Sequence, residues 1–342
     1  MLHGRGWSGS KCNSLWSAVI LPVFRPLMPA VILVVALANV AFVAYPERPI
    51  TIVVPYTPGG TVDLLARALG QELYKSLNQP IVVLNRSGAG GSIGAETVAH
   101  AANDGYTLLL TTSSPLTTNL ALYQSLNYDS LRDFTPIVLA GENGTVIVAN
   151  PTLGVKTFGE LVARAKQQPG GIMAGTSGNG TGSDLSLAQV NKVTGTNIAK
   201  VPYNGGLPSL TAAMSGEVQV TFSDLVPALP LIRGGKLIPL AVTSPERSKA
   251  APEIPTIQEL GFPDFNTVVW IGLLAPAGTA QDVVTRLNSG VNEILATPGF
   301  RERMITIGID PLGGTPEEFR KTLERDIPRW KQMVIDAGLK MQ

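Results

Sequence analysis

The stretch Ile50-Thr51-Ile52-Val53-Val54-Pro55-Tyr56-Thr57-Pro58-Gly59-Gly60-Thr61-Val62-Asp63-Leu64-Leu65-Ala66-Arg67-Ala68-Leu69 decides the fold class. Its first part, Ile50 to Pro55, is an unbroken apolar run of strand length, and its last part sets Val62, Leu65, Ala66, Leu69 and, further on, Leu73 on one helical face. A Pro- and Gly-rich turn joins the two. Strand, glycine turn and amphipathic helix make half of a βαβ unit, and the pattern continues in an apolar run Ile81 to Leu84, a small-residue helix Ile93 to Ala101 and an apolar run Thr107 to Thr111.

A second series follows. Strands are predicted at Thr145 to Ala149, Ile172 to Gly175, Ala199 to Val201, Val218 to Phe222 and Leu237 to Thr243. Helices are predicted at Thr157 to Gln168, Gly182 to Val193, Leu207 to Met214 and Leu225 to Arg233. The Pro-rich passage Pro245 to Pro263 then leads to a strand Thr267 to Leu274 and two or three helices. In the last helix Phe319, Leu323, Ile327, Trp330 and Val334 share a face, and Pro328 is expected to kink or break it. Two α/β lobes and one return passage predict a cleft between lobes, beyond the carboxyl ends of the strands.

The 342 residues, 44% hydrophobic and 15% charged, suffice for about two domains with real cores. The 36 glycines and 26 prolines suit many tight connections rather than a helix bundle. A net charge of +1 without any Lys/Arg cluster excludes a nucleic-acid footprint. The one cysteine, Cys12, and His3 lie in the leading segment, so the body has no thiol and one imidazole, His100. A disulfide framework, a Cys/His zinc site and a cysteine nucleophile are excluded by count, and a Ser-His-Asp triad would have to use His100. No metal or cofactor is expected.

Residues 1–44 read as an export signal. Arg5, Lys11 and Arg25 precede the apolar stretch Leu27 to Ala44, which holds no acid and ends in small residues. At about 1.5 Å per residue the stretch falls just short of the roughly 30 Å hydrocarbon core, so cleavage, near Ala38 or Ala44, is expected rather than a permanent anchor. The mature protein is expected to be periplasmic. Lobe 1 is expected to comprise 45–146 and 250–342, and lobe 2 to comprise 147–249.

Three Gly-rich turns are candidates for chemistry. Tyr56 to Asp63 is no Walker A loop, because no Gly-Lys-Ser/Thr follows, but it offers backbone N–H groups at a helix start. Gly175 to Ser183 does the same in the second lobe; it nearly spells a nucleophile elbow around Ser177, with Asn179 where the second glycine is required. Asn85 to Gly94 fails the dinucleotide register at Ile93, which leaves packing or a supporting role. With no Lys or Arg inside the first two loops, an anion held there would rest on backbone N–H and hydroxyl groups. Asp63 and Asp224 are read either as helix-start acids or as ligand contacts, and Tyr203 as packing or as a phenol for the ligand.

Six motifs in order carry a family resemblance. They are Tyr45-Pro46 with Arg48-Pro49-Ile50, Pro58-Gly59-Gly60 with Asp63, Asn85-Arg86 with Gly88-Ala89-Gly90-Gly91, Asp104-Gly105-Tyr106-Thr107, Val201-Pro202-Tyr203 and Leu273-Leu274-Ala275-Pro276-Ala277-Gly278-Thr279. From Tyr45 to Gln342 the chain resembles the Bug-type extracytoplasmic receptors of tripartite tricarboxylate transporters. The resemblance implies a type II periplasmic-binding-protein fold, each lobe a mainly parallel sheet flanked by helices, closing on a small carboxylate. It implies a first-lobe grip of Tyr56, Pro58, Gly59, Gly60, Thr61 and Asp63, with hydroxyls from Ser113 and Ser114. Ser177, Gly178, Asn179 and Thr181 form the implied second-lobe grip, with Tyr203 and Asp224 lining the pocket. The implied partners are a di- or tricarboxylate, acidic amino acid or aromatic acid, and membrane permease subunits; the receptor is expected to be a monomer and no enzyme. The chain departs from the family pattern at Ser87, Asp184, Asn204 and Pro328. An exported hydrolase using Ser177, and a sensor for a membrane kinase, are the alternative readings.

Overall fold

The computed structural model describes residues 45–338. The export segment over 1–44, with its cleavage near Ala38 or Ala44, lies outside the described residues. The chain runs β1 (Ile50–Val54), α1 (Thr61–Leu77), β2 (Ile81–Asn85), α2 (Ser92–Ala99), β3 (Thr107–Thr112), the short α3 (Asn119–Leu122) and β4 (Phe134–Asn143). It continues through β5 (Thr145–Ala149), α4 (Phe158–Gln167), β6 (Met173–Thr176), α5 (Gly182–Thr194), β7 (Ala199–Pro202), α6 (Gly206–Ser215), β8 (Val220–Asp224), α7 (Leu225–Arg233) and β9 (Ile238–Val242). It returns through β10 (Val269–Pro276), α8 (Gln281–Ala296), α9 (Pro298–Thr306), β11 (Asp310–Pro311) and α10 (Pro316–Asp336).

Two sheets result, ordered β11-β4-β10-β3-β1-β2 and β7-β6-β8-β5-β9, so the two-lobed α/β architecture is present. The sheets are mixed rather than mainly parallel. β1 pairs in parallel with β2 and β3, and β6 with β7 and β8. β10 is antiparallel to β3 and β4, and β5 is antiparallel to β8 and β9. The reason is the crossing: β4 carries the chain out of the first lobe and β10 brings it back, so these neighbours must run in opposite directions. β4 is also the one long strand that the sequence reading omitted, because Pro136 cannot donate to a ladder and demotes the run Phe134 to Asn143. A register irregularity between Leu273 and Leu274 of β10 sits beside its Pro136 pairing.

Apolar faces seal each sheet on both sides. On the first sheet Leu65, Leu69 and Leu73 of α1 and Leu287 and Val291 of α8 cover one face, and Phe319 and Leu323 of α10 cover the other. On the second, Phe158 and Leu161 of α4 and Leu187 and Val190 of α5 oppose Leu210 and Ala213 of α6 and Ala228 of α7. Each leucine, valine or phenylalanine among them contributes roughly 1.5–3 kcal/mol when fully buried.

Pro328 does not break the last helix, which continues from Pro316 to Asp336. A proline inside a helix costs about 3 kcal/mol, and anchors on both sides of it offset that cost. Thr315 and Glu318 form a reciprocal capping box at the start. Two residues before Pro328, the carboxylate of Asp326 accepts the buried Trp270 Nε1–H at 3.0 Å. Two residues after it, Trp330 is buried with Leu122, Leu185 and Val334, and Lys192 of α5 pairs with Asp336 at the helix end. α10 thus lies against both lobes.

Gly272 of β10 is covered by the ring of Phe319, which leaves no room for a methyl group. Gly272→Ala should lower unfolding free energy by about 1–3 kcal/mol through overpacking. Gly159→Ala, at an open helical position with nothing within 4 Å of a new Cβ, should raise it by about 0.5 kcal/mol. Urea unfolding of the two variants checks both signs.

Candidate functional site

The first loop runs from the end of β1 to α1, whose cap residue Gly60 (φ −75°, ψ 167°) supplies no side-chain cap. The first N–H groups of α1 are therefore left for something else. Asp63, in the first turn, does not take them. It is buried at 1% exposure and accepts the N–H of Gly59 (2.9 Å), Arg67 Nε (2.9 Å) and Nη2 (3.0 Å), and Asn85 Nδ2 (3.0 Å). Burial alone would raise its carboxyl, but these donors together hold it below the ordinary carboxylate range. Asn85 Nδ2 also donates to the Tyr56 carbonyl, and the Tyr56 hydroxyl bonds Thr112 Oγ1 at 2.5 Å, so the loop is tied to β2 and β3.

The second loop repeats this construction. Gly178 (φ 128°) and Gly180 (φ 73°) adopt backbone conformations that disfavour side chains. Thr181 caps α5 by accepting Asp184 N–H, and Ser183 Oγ accepts the N–H of Ser177 at 2.8 Å. Asp184, buried at 2% exposure, accepts Gly180 N–H at 2.8 Å and pairs with Lys200 at 3.0 Å. In both lobes an acid in the first turn of a helix grips the N–H of the residue before the cap.

The two loops face a cavity of about 570 Å³ between the sheets. Among the described residues its wall carries no Lys, Arg or His, and Asp224 is its one charged side chain. Thr61 and Val62 present the start of α1, and Gly182 and Ser183 the start of α5. Leu122, Val269 and Ile271 supply an apolar side. Gly180 lies against Leu122, so the lobes touch beside the cavity. Asp224 stands at the cap position of α7 but makes no side-chain cap bond. It accepts Asn143 Nδ2 at 3.3 Å. Open to cavity water yet crowded by surrounding atoms, its carboxyl is raised above the ordinary range by desolvation.

Of the residues singled out in the sequence, Tyr56, Gly60, Thr61, Ser114, Ser177, Asn179, Thr181 and Asp224 are brought together on the wall. The others sit off it, each for a physical reason. Pro58 and Gly59 are exposed at the loop crest, and Asp63 is spent on the brace. Ser113 is buried, with its N–H on the Trp270 carbonyl at 2.9 Å. Gly178 turns its carbonyl to the Thr181 hydroxyl. Tyr203 donates to Glu217 Oε1 at 2.7 Å, and burial and that acid push its phenol up to about 12.

Ser87, Gly88, Gly90 and Gly91, which the failed dinucleotide register left to packing or a supporting role, are on the wall. Sequence reasoning also missed Asn143 and the pair Gly205-Gly206. Gly205-Gly206 had a signal, since it repeats the strand, glycine and helix order of the two other loops. Asn143 had none, because it ends the omitted β4. Ser177 has no imidazole partner: His100, the one histidine among the described residues, ends α2 and is exposed.

Comparison with known proteins was made against this geometry. A family model described as a tripartite tricarboxylate transporter family receptor matches residues 65–339. Protein BugT of Bordetella pertussis is 37% identical over 306 residues, 89% of this chain and 94% of its own. A solved protein of R. palustris with adipate is 34% identical with a TM-score of 0.78, over 87% of this chain and all of that one. MatC of Rhodopseudomonas palustris with bound malate is 32% identical with a TM-score of 0.73, over 85% of this chain and all of that one.

The brace can be tested through pH. Because Asp63 is depressed in the folded state, its contribution is fully present above the unfolded value of about 3.9 and is lost as pH falls through the folded value. Asp63→Asn should destabilise the protein at pH 7 by about 2 kcal/mol and flatten the loss of stability on the acid side. Urea midpoints at pH 7 and pH 3.5 decide the matter; identical pH dependence in both proteins would sink the bracing role.

Proposed function

The chain belongs to the family of tripartite tricarboxylate transporter receptors, and on that premise we propose that it is a non-enzymatic receptor that captures a small organic carboxylate outside the cytoplasm and hands it to a membrane permease. One observation carries this reading: helix α1 of one lobe and helix α5 of the other open on the same cavity, and no cationic side chain among the described residues lines it. A carboxylate at a helix start gains roughly 0.3–1 kcal/mol, and up to about 2 when partly buried, beyond the charge-assisted hydrogen bonds themselves. Solved relatives with adipate and malate support the ligand class. The lack of an imidazole near Ser177 favours this reading over an exported hydrolase.

Capture follows from the connections between lobes. Of the two passages of chain between the sheets, one lies at 143–145, from β4 into β5, and the other at 266–268, because Ala251, Ile254, Ile257 and Phe265 are still buried in the second-lobe cores; the two run side by side, with Val269 paired to Asn143. Two adjacent strands of chain form a hinge. A ligand touching both loops stabilises the closed arrangement by the contacts that the open one lacks. The boundary expected at residue 250 moves to the return passage at 266–268, so that 45–143 and the chain from Val269 onward would move as one lobe and 145–265 as the other, after removal of the leader near Ala38 or Ala44, with the receptor a monomer.

Thr61→Pro tests the grip. Proline is favoured at the first helical position, where it removes one N–H without ending the helix, and the extended Gly60 before it is compatible with that ring. Against a panel of di- and tricarboxylates, wild type should gain about 2.7 kcal/mol of stability at 100 times Kd. Thr61→Pro should weaken binding about tenfold more than Thr61→Ala, which removes only the hydroxyl. Equal losses in the two variants would mean that the backbone N–H is not a ligand contact.

A further inference from the structure

The lobes also meet at the edge of the first sheet, where β11 lies on β4. There Asp310 of β11 stands opposite Glu142 of β4 in antiparallel register, and both side chains are half-buried. Residues so paired have Cβ atoms about 4.5–5.5 Å apart, and like charges in that relation destabilise a sheet. The second lobe covers this pair. A Cβ built on Gly308, two residues before Asp310, would lie 2.7 Å from Val226 of α7. The segment after β9 brings the Ser248 hydroxyl and the Lys249 main chain to the Asp310 carboxylate, and Glu246 within electrostatic reach of both acids. Where that segment begins, Ser244 lies against Gly144 of the crossing chain.

Two carboxylates of the first lobe and one of the second therefore share a seam, and the cations around them leave the charge unbalanced. Arg325 of α10 faces Glu142, but its guanidinium is bonded to Asp326 at 2.8 Å. Arg247, next to Glu246, is turned to Glu259 at 2.8 Å. On the β10 side Glu142 meets Trp270, which carries no charge. Lys249, facing Asp310, is left as the one ammonium against three acids among the described residues. Burial, then Asp310 and Glu246, push the Glu142 carboxyl above its ordinary range against the pull of Arg325. Burial raises Asp310 too, with Glu246 adding to it and Lys249 and Ser248 opposing. Parting the lobes would take Glu246 away and open the acids to water, so both hold protons more tightly with the seam shut. A state that binds protons more tightly gains as pH falls. We propose that Glu142, Asp310 and Glu246 form an acid-closed seam, so that falling pH draws the two lobes together even without ligand. The proposal takes from the reading above only that the lobes move about the crossing segments.

The experiment measures the distance between spin labels on the purified, processed receptor without ligand. The one native cysteine, Cys12, lies in the leading segment, so Lys236→Cys after α7 and Glu302→Cys on α9, both exposed, carry the labels on either side of the seam. From pH 7.5 to pH 4.5 the ratio of the shorter to the longer distance should rise by about threefold or more, since one unit of pKa difference is worth tenfold. Glu142→Gln combined with Asp310→Asn should hold the shorter distance at both pH values. Glu246→Gln, at an exposed position, should raise the ratio at pH 7.5 and weaken its response to acid. The wild-type titration decides the question even if the double variant folds poorly. A ratio that ignores pH, or one that follows pH identically in wild type and folded Glu246→Gln, would overturn the seam and leave carboxylate capture standing. A ratio that follows pH as stated supports the seam whether or not any carboxylate of the panel binds.

Discussion

Twice in this fold a carboxylate in the first turn of a helix turns back and grips the N–H of the residue before the cap. Asp63 does so on Gly59 and Asp184 on Gly180, each nearly inaccessible and each balanced by a cation, Arg67 or Lys200, on the side away from the cavity. The grip fixes a glycine loop that has little packing of its own, and it consumes the acid, so that negative charge is not presented to the ligand. The first free N–H groups of α1 and α5 are thereby aimed at common space. Remove the brace and the loops lose the geometry on which an anion site without cations depends.

The same arrangement marks what could be read in the sequence and what could not. The loops themselves were legible, because an apolar run, paired glycines and an amphipathic helix are local signals. The direction of a side chain was not. Asp63 belongs to the right loop, but its partner Asn85 lies on β2 and Arg67 one helical turn on; Asp184, read as a departure from the family pattern, answers to Lys200 on β7. Tyr203 follows a strand end as a ligand phenol would, yet Glu217 draws its hydroxyl away. Non-local pairing also hid β4. Pro136 spoils its local pattern, while its partners on β10 come more than a hundred residues later. The mixed character of the first sheet follows from that pairing and that of the second from β5, antiparallel to β8 and β9; neither had a local signature.

α10 shows tertiary contacts overruling a local rule. Pro328 carries a local stop signal, but Trp270 bonds Asp326 on one side of it, and Trp330 fills a gap between α3 and α5 on the other. Because α10 meets the first lobe through β4 and α3 and the second through α5, it constrains the motion that the paired crossing segments permit. A closure about the two connections would then have an apolar helix contact on another side. Such a contact slides more readily than it separates, since exposing Trp330 and Leu122 would forfeit buried apolar area.

Selectivity in such a cavity must come from the arrangement of donors and acceptors. A lysine or arginine on the wall would attract any anion from many directions, because its charge acts without regard to angle. Backbone N–H groups at the starts of α1 and α5 act only along their own axes. The one formal charge among the described wall residues, Asp224, disfavours a carboxylate placed beside it. With no cation among the described wall residues, an anion held there would rest on directed N–H groups alone, so that the angles at which they point, rather than an opposite charge, would decide which acid fits.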